Sequence, residues 1–180
     1  PPEVNAAASR VYERAVYWAK WGHDVTVITC APNFPQGKVY PGYKNKWRQT
    51  EEMNGIKVIR VKTFIAKNQG FILRTLDFIS YMIMAVLNGA FLKKPDVIIS
   101  TSPQFFTAVG GYLLSVIKRR PFVFEIGDLW PESIRAVGAL KNEKLYRAIE
   151  KLELYLYRKS KIIIAQTTAF KLNLVKRGVP

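Results

Sequence analysis

Short runs of strand-forming residues alternate with longer stretches of helical character, and this alternation limits the folds that the chain can adopt. Five runs are rich in apolar, mostly β-branched or aromatic, residues and are predicted as strands, at residues 24–29, 56–61, 97–100, 122–126 and 161–165. The predicted helices span residues 6–21, 71–92, 104–118, 142–159 and 168–177. Such alternation predicts an α/β fold with a mostly parallel sheet and helices on both faces.

Positive charge is the main feature of the composition. The 180 residues include 28 Lys and Arg against 13 Asp and Glu, which gives a net charge of +15. This excess favours an anionic partner such as nucleic acid, an anionic membrane or a phosphorylated ligand, with solubility alone as the simpler explanation. The single cysteine, Cys30, cannot form an internal disulfide and indicates a reduced, cytoplasmic setting.

Several common α/β functions lack their sequence motifs. The chain contains neither the glycine-rich dinucleotide fingerprint nor a P-loop, and its serines lack a nucleophile-elbow sequence. No Cys/His cluster has the spacing of a metal site, so no metal is expected. No nucleic-acid recognition motif is present either, and we expect no nucleic-acid partner.

Six short segments, in order along the chain, resemble motifs of the family-4 glycosyltransferases of bacterial surface-polysaccharide synthesis. The six are PPEVNAAASR (1–10), GHDVTV (22–27), PNFPQG (32–37), NGIKVIRV (54–61), STSP (100–103) and DLWPES (128–133). The tail, residues 165–180, is similar to the segment just before the crossing between the two domains of that family. Each motif alone is weak evidence for the resemblance, but six motifs in the same order along the chain are specific evidence.

The resemblance implies one half of a GT-B fold, in which two Rossmann-like domains face a cleft. In that family the N-terminal domain mostly holds the acceptor, and the C-terminal domain mostly holds the nucleotide-sugar. Residues 1–180 are therefore expected to form a single, incomplete, acceptor-side domain. The first strand and the donor domain are expected to be absent from it.

The resemblance also implies an activity. We expect a retaining transferase that moves a sugar from a nucleotide-sugar to a polyprenyl-diphosphate-linked or glycan acceptor in O-antigen or capsule synthesis. The likeness is closest to N-acetylfucosamine-type transferases. No cofactor is expected, because the nucleotide-sugar is a substrate, and the expected location is cytoplasmic, peripheral at the inner membrane.

The first group of candidate site residues follows the predicted strand 122–126. Because ligands bind beyond the carboxyl ends of strands in open α/β sheets, Asp128 is the catalytic candidate, orienting an acceptor hydroxyl, with helix N-capping as the alternative. Glu132 is a candidate substrate contact or a partner of the helix dipole. Trp130 is a candidate platform for a sugar or lipid, or a core residue.

The second group lies at two other element ends. Glu3, Asn5 and Arg10 stand at the start of the first predicted helix, where an N-terminus attracts phosphate and Arg10 could grip a diphosphate. A helix cap for Asn5 and a surface ion pair for Arg10 are the alternatives. Thr101 and Ser102 end a strand and either line the cleft or cap the turn.

The predicted helix at residues 71–92 is unusually apolar. It is either a core helix, an interfacial membrane helix or a wall that receives a polyprenyl tail. The alternative function, from another class, is a non-catalytic basic Rossmann-like module that binds an anionic membrane or nucleic acid. A GT-B epimerase is a third possibility, although no acid/base residues can be assigned to it.

Overall fold

A computed structural model describes residues 2–65, 70–102, 104–136, 138 and 142–179. The motif residues Pro1, Pro103 and Pro180 lie outside this part of the chain. The elements are α1 (Ala6–Lys20), β1 (Val25–Cys30), β2 (Arg48–Met53), β3 (Ile56–Val61), α2 (Phe71–Ala90), β4 (Ile98–Thr101), α3 (Phe105–Lys118), β5 (Phe122–Ile126), α4 (Glu132–Ala136), α5 (Glu143–Lys159), β6 (Ile162–Ala165) and α6 (Thr168–Lys176).

The chain divides into two compact units, Pro1–Phe91 and Leu92–Pro180. Each unit holds a three-stranded sheet, ordered β1-β3-β2 in the first and β4-β5-β6 in the second. Three of the four strand pairings in the described residues are parallel. The predicted α/β fold, with mostly parallel pairing and flanking helices, is confirmed.

In the first unit, β1 runs parallel to β3, and the hairpin partner β2 runs antiparallel to it. Asn54 and Gly55 turn the hairpin with φ values of 50° and 79°, and positive φ at both central positions is what a tight hairpin of this type requires. The hydrophobic core gathers Ala15 of α1 against Ile56 and Val58 of β3. Strand β2 was not predicted from the sequence patterns.

In the second unit all strands are parallel, and the core is aromatic. The rings of Phe122 and Phe124 lie 5.9 Å apart, and Phe124 lies 5.2 Å from Tyr157 of α5. The backbone of α3 at Gly111 lies against β4. A Cβ atom at this position would be only 1.8 Å from Oγ of Ser100, so the close packing requires glycine. Every residue of β5 is buried, as expected for a mostly apolar strand of a parallel sheet, and the buried set includes Glu125.

Helix α2 leaves much of its apolar surface uncovered. By length and composition alone, Ile72–Ala90 could span a membrane, a test that core helices of soluble proteins also pass, yet only 11% of the segment is buried within the protein. Five exposed residues form one face, which we call the α2 stripe: Ile72, Leu76, Ile83, Leu87 and the adjoining Phe91. The core-helix interpretation therefore describes only the opposite face.

Candidate functional site

Glu3 forms hydrogen bonds with the loop at the carboxyl edge of the first sheet. One oxygen of its carboxylate accepts hydrogen bonds from the backbone N–H groups of Asn33, at 2.6 Å, and Phe34, at 2.7 Å. Both residues belong to the loop that follows β1, at the edge where α/β proteins bind ligands. Glu3 thus holds the start of this loop in place, and its predicted contact with substrate remains a prediction.

The loop that Glu3 holds has its own internal hydrogen bonds. The N–H of Gly37 bonds to the carbonyl of Asn33 at 2.8 Å, and the Tyr40 hydroxyl bonds to the carbonyl of Phe34 at 2.6 Å. Farther on, Asn45 exchanges two hydrogen bonds with the backbone of Thr63, just beyond β3. A compact loop tied at both ends to one edge of a sheet is a common carrier of binding residues.

Arg60 is a buried charge at the same edge. Its side chain is only 7% exposed, its Nε donates to Glu51 at 2.6 Å, and its Nη1 donates to the carbonyl of Cys30 at 3.1 Å. The guanidinium also lies 4.9 Å from the ring of Tyr43. The antiparallel neighbour β2 supplies Glu51, which pairs with the buried guanidinium.

Cys30 ends β1 beside these groups. Burial, with a smaller contribution from the charges of Glu3 and Asp77, raises the pKa of its thiol to about 12. The thiol is therefore protonated at neutral pH and is a poor nucleophile or metal ligand. A buried, protonated thiol at a strand end is a structural residue.

The start of α1 carries the other two candidates of this unit. Asn5 is the N-cap, and its side-chain oxygen accepts from the N–H of Ala8 at 2.9 Å, which confirms the predicted cap. Arg10 is half-buried and lines an open depression along one face of α1, together with Glu13, Arg14, Tyr17, Trp18 and Trp21. Binding of phosphate by Asn5 and Arg10 remains a prediction.

Ser102 forms hydrogen bonds with the turn at the carboxyl edge of the second sheet. Its hydroxyl oxygen accepts from the backbone N–H groups of Gly127, at 2.9 Å, and Asp128, at 3.3 Å. Its own N–H donates to the carbonyl of Glu125 at 3.0 Å, and the residue is 3% exposed. Ser102 therefore joins the end of β4 to the turn after β5, as the capping alternative proposed. The neighbouring Thr101 donates from its hydroxyl to the Ser102 carbonyl at 3.0 Å.

The catalytic candidate Asp128 lies in that turn, two residues beyond β5, and is half-buried. Helix α4 begins four residues later at Glu132, so the N-cap alternative for Asp128 is not met. In the described part of the chain its carboxylate makes no hydrogen bond, so the group is available to a ligand. The position at a strand end is the one that its predicted role requires.

Trp130 and Glu132 complete the group. The Trp130 ring stacks on Phe105, with centroids 5.7 Å apart and planes 15° from parallel, and packs against the core. This contact supports the core alternative for Trp130. Glu132 starts α4, where a carboxylate complements the helix dipole, and its charge acts on the Glu153–Arg177 pair.

That pair belongs to a buried network that sequence patterns did not single out. Glu153 is 1% exposed, accepts from the Tyr157 hydroxyl at 2.6 Å and pairs with Arg177 at 2.8 Å. Burial raises the pKa of Glu153, although both partners oppose the change. The network ties α5 to the end of α6. Its only sequence signal is the i, i+4 spacing of Glu153 and Tyr157 on the face of α5 that carries Leu156.

Within the described residues, no group of three or more His, Cys, Asp or Glu side chains could hold a metal ion. The expectation that no cofactor or metal takes part remains a prediction.

The model of one protein family, the glycosyl transferase 4-like domain, matches residues 5–180. The chain belongs to this family. It is also 29% identical, over 139 residues, to the putative colanic acid biosynthesis glycosyl transferase WcaI of Escherichia coli (strain K12), across 76% of this chain and 34% of that protein. The chain thus spans about a third of the length of the curated relative that it matches.

The match confirms the resemblance to family-4 glycosyltransferases and its fold, a Rossmann-like half of the GT-B type. The finer likeness to N-acetylfucosamine-type transferases remains a prediction.

Proposed function

We propose that the protein is a retaining glycosyltransferase of polysaccharide synthesis and that this chain is its acceptor-side domain. The family match over residues 5–180 is the observation that carries the proposal. The similarity to a relative named for colanic acid biosynthesis supports a surface polysaccharide as the product class. An N-acetylated 6-deoxy amino sugar as the transferred group, and O-antigen or capsule as the product, are narrower proposals.

In the proposed reaction, the bond between the sugar and the nucleotide diphosphate breaks as a bond to an acceptor oxygen forms on the same face of the sugar. The acceptor proton passes to the departing phosphate, so no metal or cofactor is required. Asp128 orients the acceptor hydroxyl from the turn after β5. Its place beyond a buried parallel strand, without a hydrogen bond from the described residues, supports this role.

The remaining candidates have supporting roles in the proposal. Asn5 and Arg10 at the start of α1 meet the diphosphate of a polyprenyl-linked acceptor, because a helix N-terminus and a guanidinium both attract phosphate. Glu3 and Ser102 shape the two strand-end turns through backbone bonds. Thr101 at the end of β4, Trp130 in the turn after β5 and Glu132 at the start of α4 are the further proposed substrate contacts.

A lipid-linked acceptor requires access to the membrane, and the α2 stripe supports that access. Ile72 is 72% exposed and Phe91 is 85% exposed; Arg74 lies near the start of the stripe, and Lys93 and Lys94 follow its end in sequence. An amphipathic helix with basic neighbours binds an anionic interface. We therefore propose a cytoplasmic protein that is peripheral at the inner membrane.

The transfer assay tests the function directly. The full-length gene product is incubated with radiolabelled UDP-, GDP- and dTDP-sugars and with polyprenyl-diphosphate-linked glucose, galactose and N-acetylglucosamine in detergent micelles. We expect one pair to give a labelled lipid product of retained anomeric configuration. Transfer from no donor to any lipid or glycan acceptor would falsify the proposal.

A variant pair assigns the catalytic carboxylate. Asp128→Asn is expected to lower kcat by about 100-fold, the size of loss that follows when a reacting group is no longer held in position. Asp96→Asn, an exposed carboxylate just before β4 at the opposite end of the same sheet, is the matched control and should leave kcat unchanged. Equal rates for both variants would remove Asp128 from the mechanism.

Membrane binding is tested by co-sedimentation with liposomes with and without anionic lipid over a salt series. The double variant Ile83→Glu, Leu87→Glu should lose binding, whereas Leu172→Glu on exposed α6 should retain it. Binding to anionic liposomes or nucleic acid without any transferase activity would favour the non-catalytic module instead.

A further inference from the structure

Helix α2 begins beyond the carboxyl edge of the first sheet. The hydroxyl of Tyr81 donates to the carbonyl of Ile28 in β1 at 2.9 Å, and Oγ of Ser80 accepts from the N–H of Phe64, past the end of β3, at 2.8 Å. Asp77 lies one turn nearer the start of the helix than Tyr81. This places Asp77 beside the strand ends, where α/β sheets bind ligands.

The Asp77 carboxylate is half-buried but has no hydrogen bond or ion pair among the described residues. Arg74, one turn earlier on α2, is exposed and holds its guanidinium 5.7 Å from the ring of Phe78. From β1, the neighbouring group is the Cys30 thiol, which is neutral at physiological pH. Glu3 from the N-terminal segment and Arg60 from β3 act on that same thiol.

These surroundings leave Asp77 poorly solvated. Burial raises its pKa to about 6, and Arg74 opposes the change only in part. A carboxylate that loses water without gaining hydrogen bonds destabilises the folded state. Sequences tolerate such a local violation where a function requires it.

We propose that the Asp77 carboxylate accepts a hydrogen bond from a hydroxyl group of the acceptor sugar. A carboxylate only accepts, and a sugar hydroxyl donates, so the bound sugar restores the solvation that Asp77 lost on folding. The inference rests on the proposed function and names a residue of the first unit as an acceptor contact. It makes Asp77 a residue that selects the acceptor and leaves the donor unaffected.

Stability gives a readout that separates this role from a structural one. Because the folded-state pKa of Asp77 lies above its ordinary value near 4, the carboxyl group contributes stability that is present below about pH 4 and is lost as the pH rises through about 6. Asp77→Asn does not titrate. We therefore expect the variant to have a Tm at pH 7.5 at least as high as that of the unsubstituted protein. A structural carboxylate would give a lower Tm.

The kinetic test compares the full-length protein with Asp77→Asn in the acceptor panel described above. The acceptor KM at pH 7.5 should rise about 10-fold, as expected for one lost charge-assisted hydrogen bond, while the donor KM stays unchanged. The acceptor KM of the unsubstituted protein should also rise as the pH falls through about 6, and that of the variant should not. Asp24→Asn, an exposed carboxylate just before β1, is the matched control with unchanged constants.

Two failures are distinguishable. If the unsubstituted protein transfers sugar but Asp77→Asn has the same acceptor KM and the same pH profile, this inference alone is overturned. If the unsubstituted protein transfers no sugar, the inference falls together with the proposed function.

Discussion

In each unit, one side-chain oxygen accepts two backbone hydrogen bonds from the turn after a strand. The oxygen belongs to a carboxylate in the first unit and to a hydroxyl in the second. In the first, a carboxylate oxygen of Glu3 accepts two successive backbone N–H groups, from Asn33 and Phe34. In the second, the hydroxyl oxygen of Ser102 accepts two successive N–H groups, from Gly127 and Asp128. Each acceptor is distant in sequence from the turn that it holds.

The difference between them follows from their exposure to water. Glu3 is half-exposed, so its charge keeps part of its hydration while it strengthens the two bonds. Ser102 is 3% exposed, and a carboxylate there would lose its hydration without an opposite charge to replace it. A charged acceptor is used where water reaches the turn, and a neutral one where water is excluded.

The largest expected effect concerns the buried network of the second unit. Glu153→Ala removes the buried carboxylate that pairs with Arg177 and with the Tyr157 hydroxyl, and breaking a buried ion pair in this way costs about 3–5 kcal/mol. Glu150→Ala, which removes the more exposed and longer contact of Arg177 at 3.5 Å, should cost less than about 1 kcal/mol. Urea denaturation measures both values. Similar losses would contradict the greater contribution of the buried Glu153–Arg177 contact.

A smaller loss is expected at the turn that Ser102 holds. Ser102→Ala removes the acceptor of two N–H groups in a buried place and should lower the free energy of unfolding by about 1–3 kcal/mol. Ser160→Ala is the control, because that hydroxyl only donates to one carbonyl at the end of α5. If the two variants are equally stable, water has replaced the Ser102 hydroxyl.

The smallest loss is expected at Glu3. Glu3→Gln keeps an acceptor oxygen but removes the charge, and water can reach the freed groups, so the cost should be about 0.5–1 kcal/mol. This cost should shrink in 1 M NaCl, where the Debye length is about 3 Å, whereas that of Ser102→Ala should not. Urea denaturation at low and high salt measures the stability loss of each variant. If the losses of Glu3→Gln and Ser102→Ala respond to salt in the same way, the proposed difference between the two turns is wrong.

Strong local patterns predicted most of the fold. The strand at Phe122–Ile126 and the hairpin strand at Ile56–Val61 have their predicted bounds, and most other element ends shift by one or two residues. Strand β2 was missed because Arg48, Gln49, Glu51 and Glu52 make it polar on both sides. Its pairing comes from the hairpin and from the buried Arg60, which a single-sequence pattern does not reveal.

The candidate sites were harder to predict, since each depends on contacts between distant parts of the sequence. The cap at Asn5 was predictable from local spacing. The bonds from Glu3 to a loop thirty residues away, and from Ser102 to the turn after β5, were not. Asp77 carries no motif at all, and it stands out only when its burial beside the end of β1 is known.

The close contact between Gly111 and Ser100 limits how related chains can diverge. A side chain at position 111 would collide with the Oγ and Cβ atoms of Ser100 and approach the Phe122 ring to 3.2 Å. A larger residue can therefore replace Gly111 only after Ser100 has been replaced by glycine. In the reverse order, the intermediate protein would contain the steric clash and would be less stable. Among descendants of this sequence, the two positions should covary, and the order of their substitutions should be fixed.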